Sequence, residues 1–166
     1  MKKRGQILGL PLILLFSLIV GAFILLYGAK VILDLTEEAD YVEFLDQLQD
    51  LESKIVTYGN YDVGTVKTYT LDLPGDIETL CFYDPTQSDS CTLDGGVCSA
   101  DLQGELELIL DDEYNVYIFP IGLYDQNRFL IETFQTEDAN PICISNGGSL
   151  VIAPQKEYVG ISYYDK

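Results

Sequence analysis

A chain of 166 residues can bury a substantial core and gives reason to seek one compact domain. Nine basic residues stand against twenty-seven acidic ones, a net charge of −18, which excludes a basic footprint for phosphate backbones and with it nucleic acid as a partner. Histidine is absent, so every triad, dyad or metal site that relies on imidazole is excluded as well.

The charge is unevenly placed. Lys2, Lys3 and Arg4 open the chain, Ile7–Ala29 carries no charged residue, and all acids lie from Asp34 onward. As a helix that uncharged stretch rises about 34 Å, enough to cross a hydrocarbon core of about 30 Å. Residues 31–166 hold five bases against the twenty-seven acids, a net charge of −22. Because Lys and Arg stay cytoplasmic, the expected topology is single-pass, with the N-terminus inside and the C-terminal domain extracellular. A cleaved secretory signal is the rival, with Val20-Gly21-Ala22 as a tolerable site. The apolar run nevertheless continues from Phe23 to Tyr27 and resumes at Val31, Ile32 and Leu33, which favours an anchor.

Beyond the span, Tyr41, Phe44, Leu45, Leu48, Leu51, Ile55 and Tyr58 recur at spacings of three and four, one face of an amphipathic helix. The helix either runs unbroken from Pro11, a residue suited to a helix start, or is re-initiated where Asp34 stands three residues before Glu37. Gly59-Asn60 ends it in both cases. The expected organisation is therefore a basic leader at 1–5, open to removal, a transmembrane helix at 6–33, an amphipathic helix at 34–58 continuing the stem, and an extracellular β-rich head at 59–166.

From Thr65 the period becomes two and β-branched and aromatic residues increase. Val66–Leu73 and Ile77–Tyr83 flank Pro74-Gly75-Asp76 and predict a hairpin. Glu105–Leu110, Tyr114–Phe119, Arg128–Phe134, Ile142–Ser145, Leu150–Ala153 and residues 157–164 read as further strands. Short strands joined by tight turns predict an antiparallel sheet or small sandwich carried on the helix, an α+β class. Residues 84–104 are long and polar and read as a stapled surface loop, with no ligand assigned.

Cys81, Cys91, Cys98 and Cys143 all lie in the expected external part. An even number there predicts two disulfides, and although three pairings are open, Cys91 with Cys98 and Cys81 with Cys143 are favoured. Zinc is disfavoured by the C-x9-C and C-x6-C spacings, so neither a metal nor any other cofactor is expected. No dinucleotide fingerprint, phosphate loop, nucleophile elbow or calcium loop is present, no catalytic residue is assigned, and the carboxylates read as a solvated acidic surface. Tyr69, Tyr83, Tyr114, Tyr117, Tyr158, Tyr163 and Tyr164 fall on strand positions, where packing is favoured over a recognition face.

Lys3-Arg4-Gly5-Gln6 followed by an apolar helix resembles the class III signal of archaeal type IV pilins and archaellins. That resemblance implies a prepilin-peptidase-like processing enzyme as a partner, cutting between Gly5 and Gln6. It further implies an apolar stem that packs with its copies in a filament core, beneath an external β-rich head. Stem residues are then Leu12, Leu14, Leu15, Leu18, Ile19, Phe23 and Leu26, with the membrane and a homo-oligomer as partners. Leu10 stands where bacterial pilins carry a Glu, an acid that archaeal members often lack. The stretches Tyr69–Phe82 and Asn140–Ile144 are also similar to uncharacterised single-span exterior proteins of small-genome archaea. The expected function is that of a structural, non-enzymatic filament subunit; the alternative is a monomeric, single-pass membrane-anchored extracellular binding module.

Overall fold

A computed structural model describes residues 9–87 and 90–164; the side chains of Gly9, Leu10 and Glu37 are outside that description. Lys2, Lys3 and Arg4 of the expected leader and the expected cleavage pair Gly5 and Gln6 lie outside the described residues. The chain divides into two compact units, Met1–Asp40 and Tyr41–Lys166. The fold is α+β, with one long apolar N-terminal helix and a β-rich domain of two mixed sheets.

Helix α1 runs from Gly9 to Gly59 without a break at Asp34. Over residues 12–29 α1 carries no charged residue, and Leu12, Leu14, Leu15, Leu18, Ile19, Phe23 and Leu26 are all exposed. In the second unit its pattern changes, and Phe44, Leu51 and Ile55 are buried with Tyr41, Leu48 and Tyr58 packed beside them. Each buried large side chain on this face contributes about 1.5–3 kcal/mol. Gly59 closes the helix where a Cβ would come within 2.9 Å of Val159 Cγ2, and the Asn60 side chain donates to the Val56 carbonyl at 2.9 Å.

Among the described residues, ten strands follow in chain order: β1 (Lys67–Thr70), β2 (Thr79–Phe82), β3 (Thr92–Leu93), β4 (Gly96–Val97), β5 (Val116–Phe119), β6 (Arg128–Phe129), β7 (Phe134–Thr136), β8 (Ile142–Ser145), β9 (Ser149–Pro154) and β10 (Val159–Tyr163). They form a four-stranded sheet in the order β1-β9-β10-β7 and a six-stranded sheet in the order β4-β3-β8-β2-β5-β6. Most pairs are antiparallel, but β10 with β7 and β3 with β8 are parallel, so the all-antiparallel expectation is corrected.

The six-stranded sheet is covered on both faces, which is why β2 and β5 are buried at every position. Leu80, Phe82, Val116, Ile118, Ile142 and Ile144 face the main core with the second half of α1 and with Leu150, Ile152, Val159 and Ile161 of the other sheet. The alternate residues Cys81, Tyr117, Phe119 and Cys143 face a second, smaller core with Leu106. The smaller sheet has one apolar face, visible in the strict alternation of burial along β9.

Four local expectations are corrected. Glu105–Leu110 is not a strand: Glu105–Ile109 belongs to helix α2 (Ala100–Ile109), with Leu110 as its C-cap, and the first turn is capped by Ser99 Oγ accepting from the Leu102 amide. Pro74-Gly75-Asp76 does not close a hairpin, since β1 pairs with β9 and β2 with β5 and β8. Arg128–Phe134 is split into β6 and β7 in different sheets, with Thr133 between them at φ 75°. Residues 84–104 are not a bare loop: they contain β3 and β4, joined through Asp94 at φ 49° and Gly95 at φ 78°, and the start of α2. Two successive positive φ angles suit a tight two-residue hairpin turn, and Asp-Gly is a sequence that adopts it.

Candidate functional site

Two features stand out, one in each unit. The first is the apolar part of α1, where an eighteen-residue window has a mean hydropathy of 2.6 and none of it is buried by the rest of the chain. A helix that is apolar all round and uncovered has the character of a membrane span, and this one is long enough to be one. At Gly21 and Gly28 a Cβ would meet nothing within 4 Å beyond the adjoining residues and backbone of α1 itself, so a neighbouring helix could approach closely at both. Ser17 Oγ is turned back onto its own helix, donating to the Leu14 carbonyl at 2.9 Å.

The second feature is the smaller core. Cys81 and Cys143 stand opposite each other on β2 and β8 and are joined by a disulfide; Cys91 and Cys98 are joined by another across the β3–β4 hairpin. The sequence separations are 62 and 7, so the first constrains far more of the unfolded chain. Two disulfides suggest an oxidising, extracellular setting for this domain. The register of β3 beside β8, with Leu93 opposite Cys143, brings the two bonds together. The Sγ atoms of Cys91, Cys98 and Cys143 lie within 4.8 Å of one another. Leu106, Tyr117 and Phe119 enclose them, and Leu102, Ile109, Leu110, Tyr83 and Tyr114 pack around that shell.

A groove of about 450 Å³ opens beside this core, lined by Tyr83, Cys91, Leu106, Leu110, Asn140 and Pro141 among others. Its polar floor is held by Asn140, which is buried and uses its whole amide capacity. Asn140 Oδ1 accepts from the Asp84 amide at 2.8 Å and the Thr136 hydroxyl at 3.2 Å, and Nδ2 donates to the carbonyls of Asp84 at 2.6 Å and Gln87 at 2.8 Å. Asp84, also buried, accepts from the Thr86 amide and hydroxyl at 2.8 and 2.6 Å and from Gln87 Nε2 at 3.1 Å. This hub was not anticipated from the sequence, which carries no signal for the burial of Asn140.

A second groove, of about 370 Å³, gathers Asp94, Glu137 and Asp138 near Tyr163. Two of its acids already serve the fold: Asp94 Oδ1 accepts from the Ser145 amide at 3.0 Å and Glu137 Oε1 from Gln155 Nε2 at 2.8 Å. Among the described residues, every buried side-chain nitrogen or oxygen has a hydrogen-bond partner, so none is left aimed at an absent ligand.

The tyrosines divide by role. Tyr117 is fully buried, and its hydroxyl accepts from the Asp111 amide at 2.9 Å and faces the carbonyls of Asp111 and Tyr114 at 2.9 and 3.0 Å; burial raises its pKa. Tyr69, half-buried, donates to Asp50 Oδ2 at 3.2 Å, with Lys54 Nζ 4.5 Å from its ring centroid. Burial and the Asp50 charge push its pKa up to about 12, while hydrogen bonding from Lys54 lowers that of Asp50. Tyr83, Tyr114, Tyr158 and Tyr163 are half-buried and Tyr164 is exposed, so they do not form one uniformly exposed face. No protein-family model, curated protein or solved structure matches this chain.

Proposed function

We propose that the chain is a membrane-inserted, pilin-like surface subunit whose apolar stem assembles with copies of itself and whose acidic head faces the medium in a structural, non-enzymatic role. The observation that carries this reading is the uncovered apolar window of α1. Apolar surface of that extent needs either lipid or other apolar helices around it, and a stem that exchanges one for the other can pass from bilayer to filament. Gly21 and Gly28 support it by leaving room for close helix approach. The basic cluster at Lys2, Lys3 and Arg4 and the −22 charge beyond residue 30 support a cytoplasmic start, and the two disulfides support an extracellular head. Processing between Gly5 and Gln6 by a prepilin-peptidase-like enzyme completes the proposal.

Intact mass of the mature protein, together with electron microscopy of surface material sheared from cells, tests it. The expected result is a chain beginning at Gln6 and filaments that contain it. A chain that retains Lys2 and stays wholly in the membrane fraction, with no filament, replaces this reading with a monomeric anchored binding module. The groove beside Cys91 would be the first place to seek that module's ligand.

A further inference from the structure

The four cysteines lie in one buried cluster, and the two disulfides differ in access. Cys81 and Cys143 are 0% exposed, whereas Cys91 is 8% and Cys98 5% exposed, and Cys91 lines the groove that Tyr83, Leu106 and Pro141 also border. Cys143 Sγ lies within 4.8 Å of both outer sulfurs, a separation that side-chain rotation can close, while Cys81 is not part of that close group. We propose that Cys91–Cys98 is a thiol-exchange site, open to an external dithiol or its disulfide, that relays redox change to the enclosed Cys81–Cys143 bond. The relay does not depend on whether the stems assemble.

In the reducing direction, one thiolate of the dithiol attacks Cys91 Sγ and expels Cys98 as thiolate. Its second thiol then displaces Cys91, so the dithiol leaves as a cyclic disulfide and two electrons rest on the Cys91, Cys98 pair. One of these thiolates attacks Cys143 Sγ; the Cys81–Cys143 bond breaks, a bond from the attacking sulfur to Cys143 forms, and Cys81 leaves as thiolate and takes up a proton. The remaining outer thiolate attacks its own partner's sulfur in that mixed disulfide, restoring Cys91–Cys98 and releasing Cys143 as a thiol. The net change is one dithiol oxidised and one inner disulfide reduced. Run backwards, with an external disulfide as oxidant, the same steps oxidise a pair of sulfurs that has no exposed surface. Cys143 is the inner sulfur that lies within 4.8 Å of both outer sulfurs, so the relay places the attack there and makes Cys81 the leaving thiolate.

The test uses the full chain in detergent micelles, with dithiothreitol as the dithiol, acid quenching at intervals, alkylation and mapping of labelled peptides. Thiols at Cys91 and Cys98 should appear before those at Cys81 and Cys143. In the double variant Cys91→Ser with Cys98→Ser, reduction of Cys81–Cys143 should slow at least tenfold. An unchanged or faster rate overturns the relay. The single variant Cys98→Ser, incubated without reductant, provides an independent readout. It should accumulate the Cys91–Cys143 disulfide with the label on Cys81. Label confined to Cys91, or equal amounts of Cys91–Cys81 and Cys91–Cys143 as unfolded chains would produce, also overturns it.

Discussion

Three asparagines act as clamps on the backbone. Asn115 joins the amide and carbonyl of Ile131, Asn146 joins those of Leu73, and Asn140 ties four groups around residues 84–87 and 136. Each uses both ends of its amide to do what a neighbouring strand does in a ladder, at places where the chain leaves a strand. Asn140→Ala would strip partners from an amide and two carbonyls inside the core, and a loss of about 2–4 kcal/mol is expected by urea denaturation of the full chain in micelles. Tyr69 has a pH signature. Its folded pKa of about 12 lies above the ordinary 10.0, so its contribution to stability is present below pH 10 and is lost as pH rises towards 12. Thermal unfolding of wild type should therefore fall off more steeply between pH 10 and 12 than that of Tyr69→Phe, which has no proton to lose; parallel curves would remove Tyr69 from the account.

At the scale of elements, helix α2 shows how local pattern and tertiary context compete. Glu105–Leu108 alternates polar and apolar residues and reads as part of a strand, yet Leu102, Leu106 and Ile109 share the apolar side of a helix that covers the cysteine cluster, with Leu110 packed beside them. The Ser99 cap tips the balance, and Ser99→Ala should cost about 1 kcal/mol. Gly104 sits inside this helix with open space where a Cβ would be, so Gly104→Ala should stabilise the domain by about 0.5–1 kcal/mol in the same denaturation assay. Gly148 is the opposite case: a Cβ there would lie 2.6 Å from Ile144 Cγ2 and 2.9 Å from the Ser145 carbonyl oxygen, and Gly148→Ala should destabilise. What was legible in advance was local: the three-and-four spacing through Ile55, the Gly59 stop, and strands at Ile142–Ser145 and Leu150–Ala153. What was not legible was partner choice. Pro74-Gly75 has the chemistry of a turn, but the Leu71 amide goes to the Gly148 carbonyl and Leu73 to Asn146, residues some seventy positions away. The same limit applies to the cysteines, whose even number is visible in the sequence but whose gathering depends on β3 lying parallel to β8.

For the molecule as a whole, the decisive question is what surrounds residues 12–26 in use. In a bilayer monomer each of these side chains meets lipid; in a bundle some of them meet other stems and are cut off from any polar partner. An Asp at either place is therefore penalised differently. In the monomer it costs about 3 kcal/mol on insertion scales, softened by drift towards the headgroups, and most of the protein still inserts. In a bundle, every copy adds an uncompensated carboxylate to a dry interface at several kcal/mol each, and the penalty repeats along the filament. Leu14 and Ile19, 62% and 43% exposed in the isolated chain, are the positions to substitute, since neither has a structural duty within its own chain. On the proposed pilin-like reading, Leu14→Asp and Ile19→Asp should each leave the protein in the membrane fraction and abolish filaments in sheared surface material. On the same reading, Gly5→Leu should stop the chain earlier, as an unprocessed membrane form that keeps residues 1–5. Filaments that survive both Asp substitutions would mean that the stems are not the surface on which copies meet.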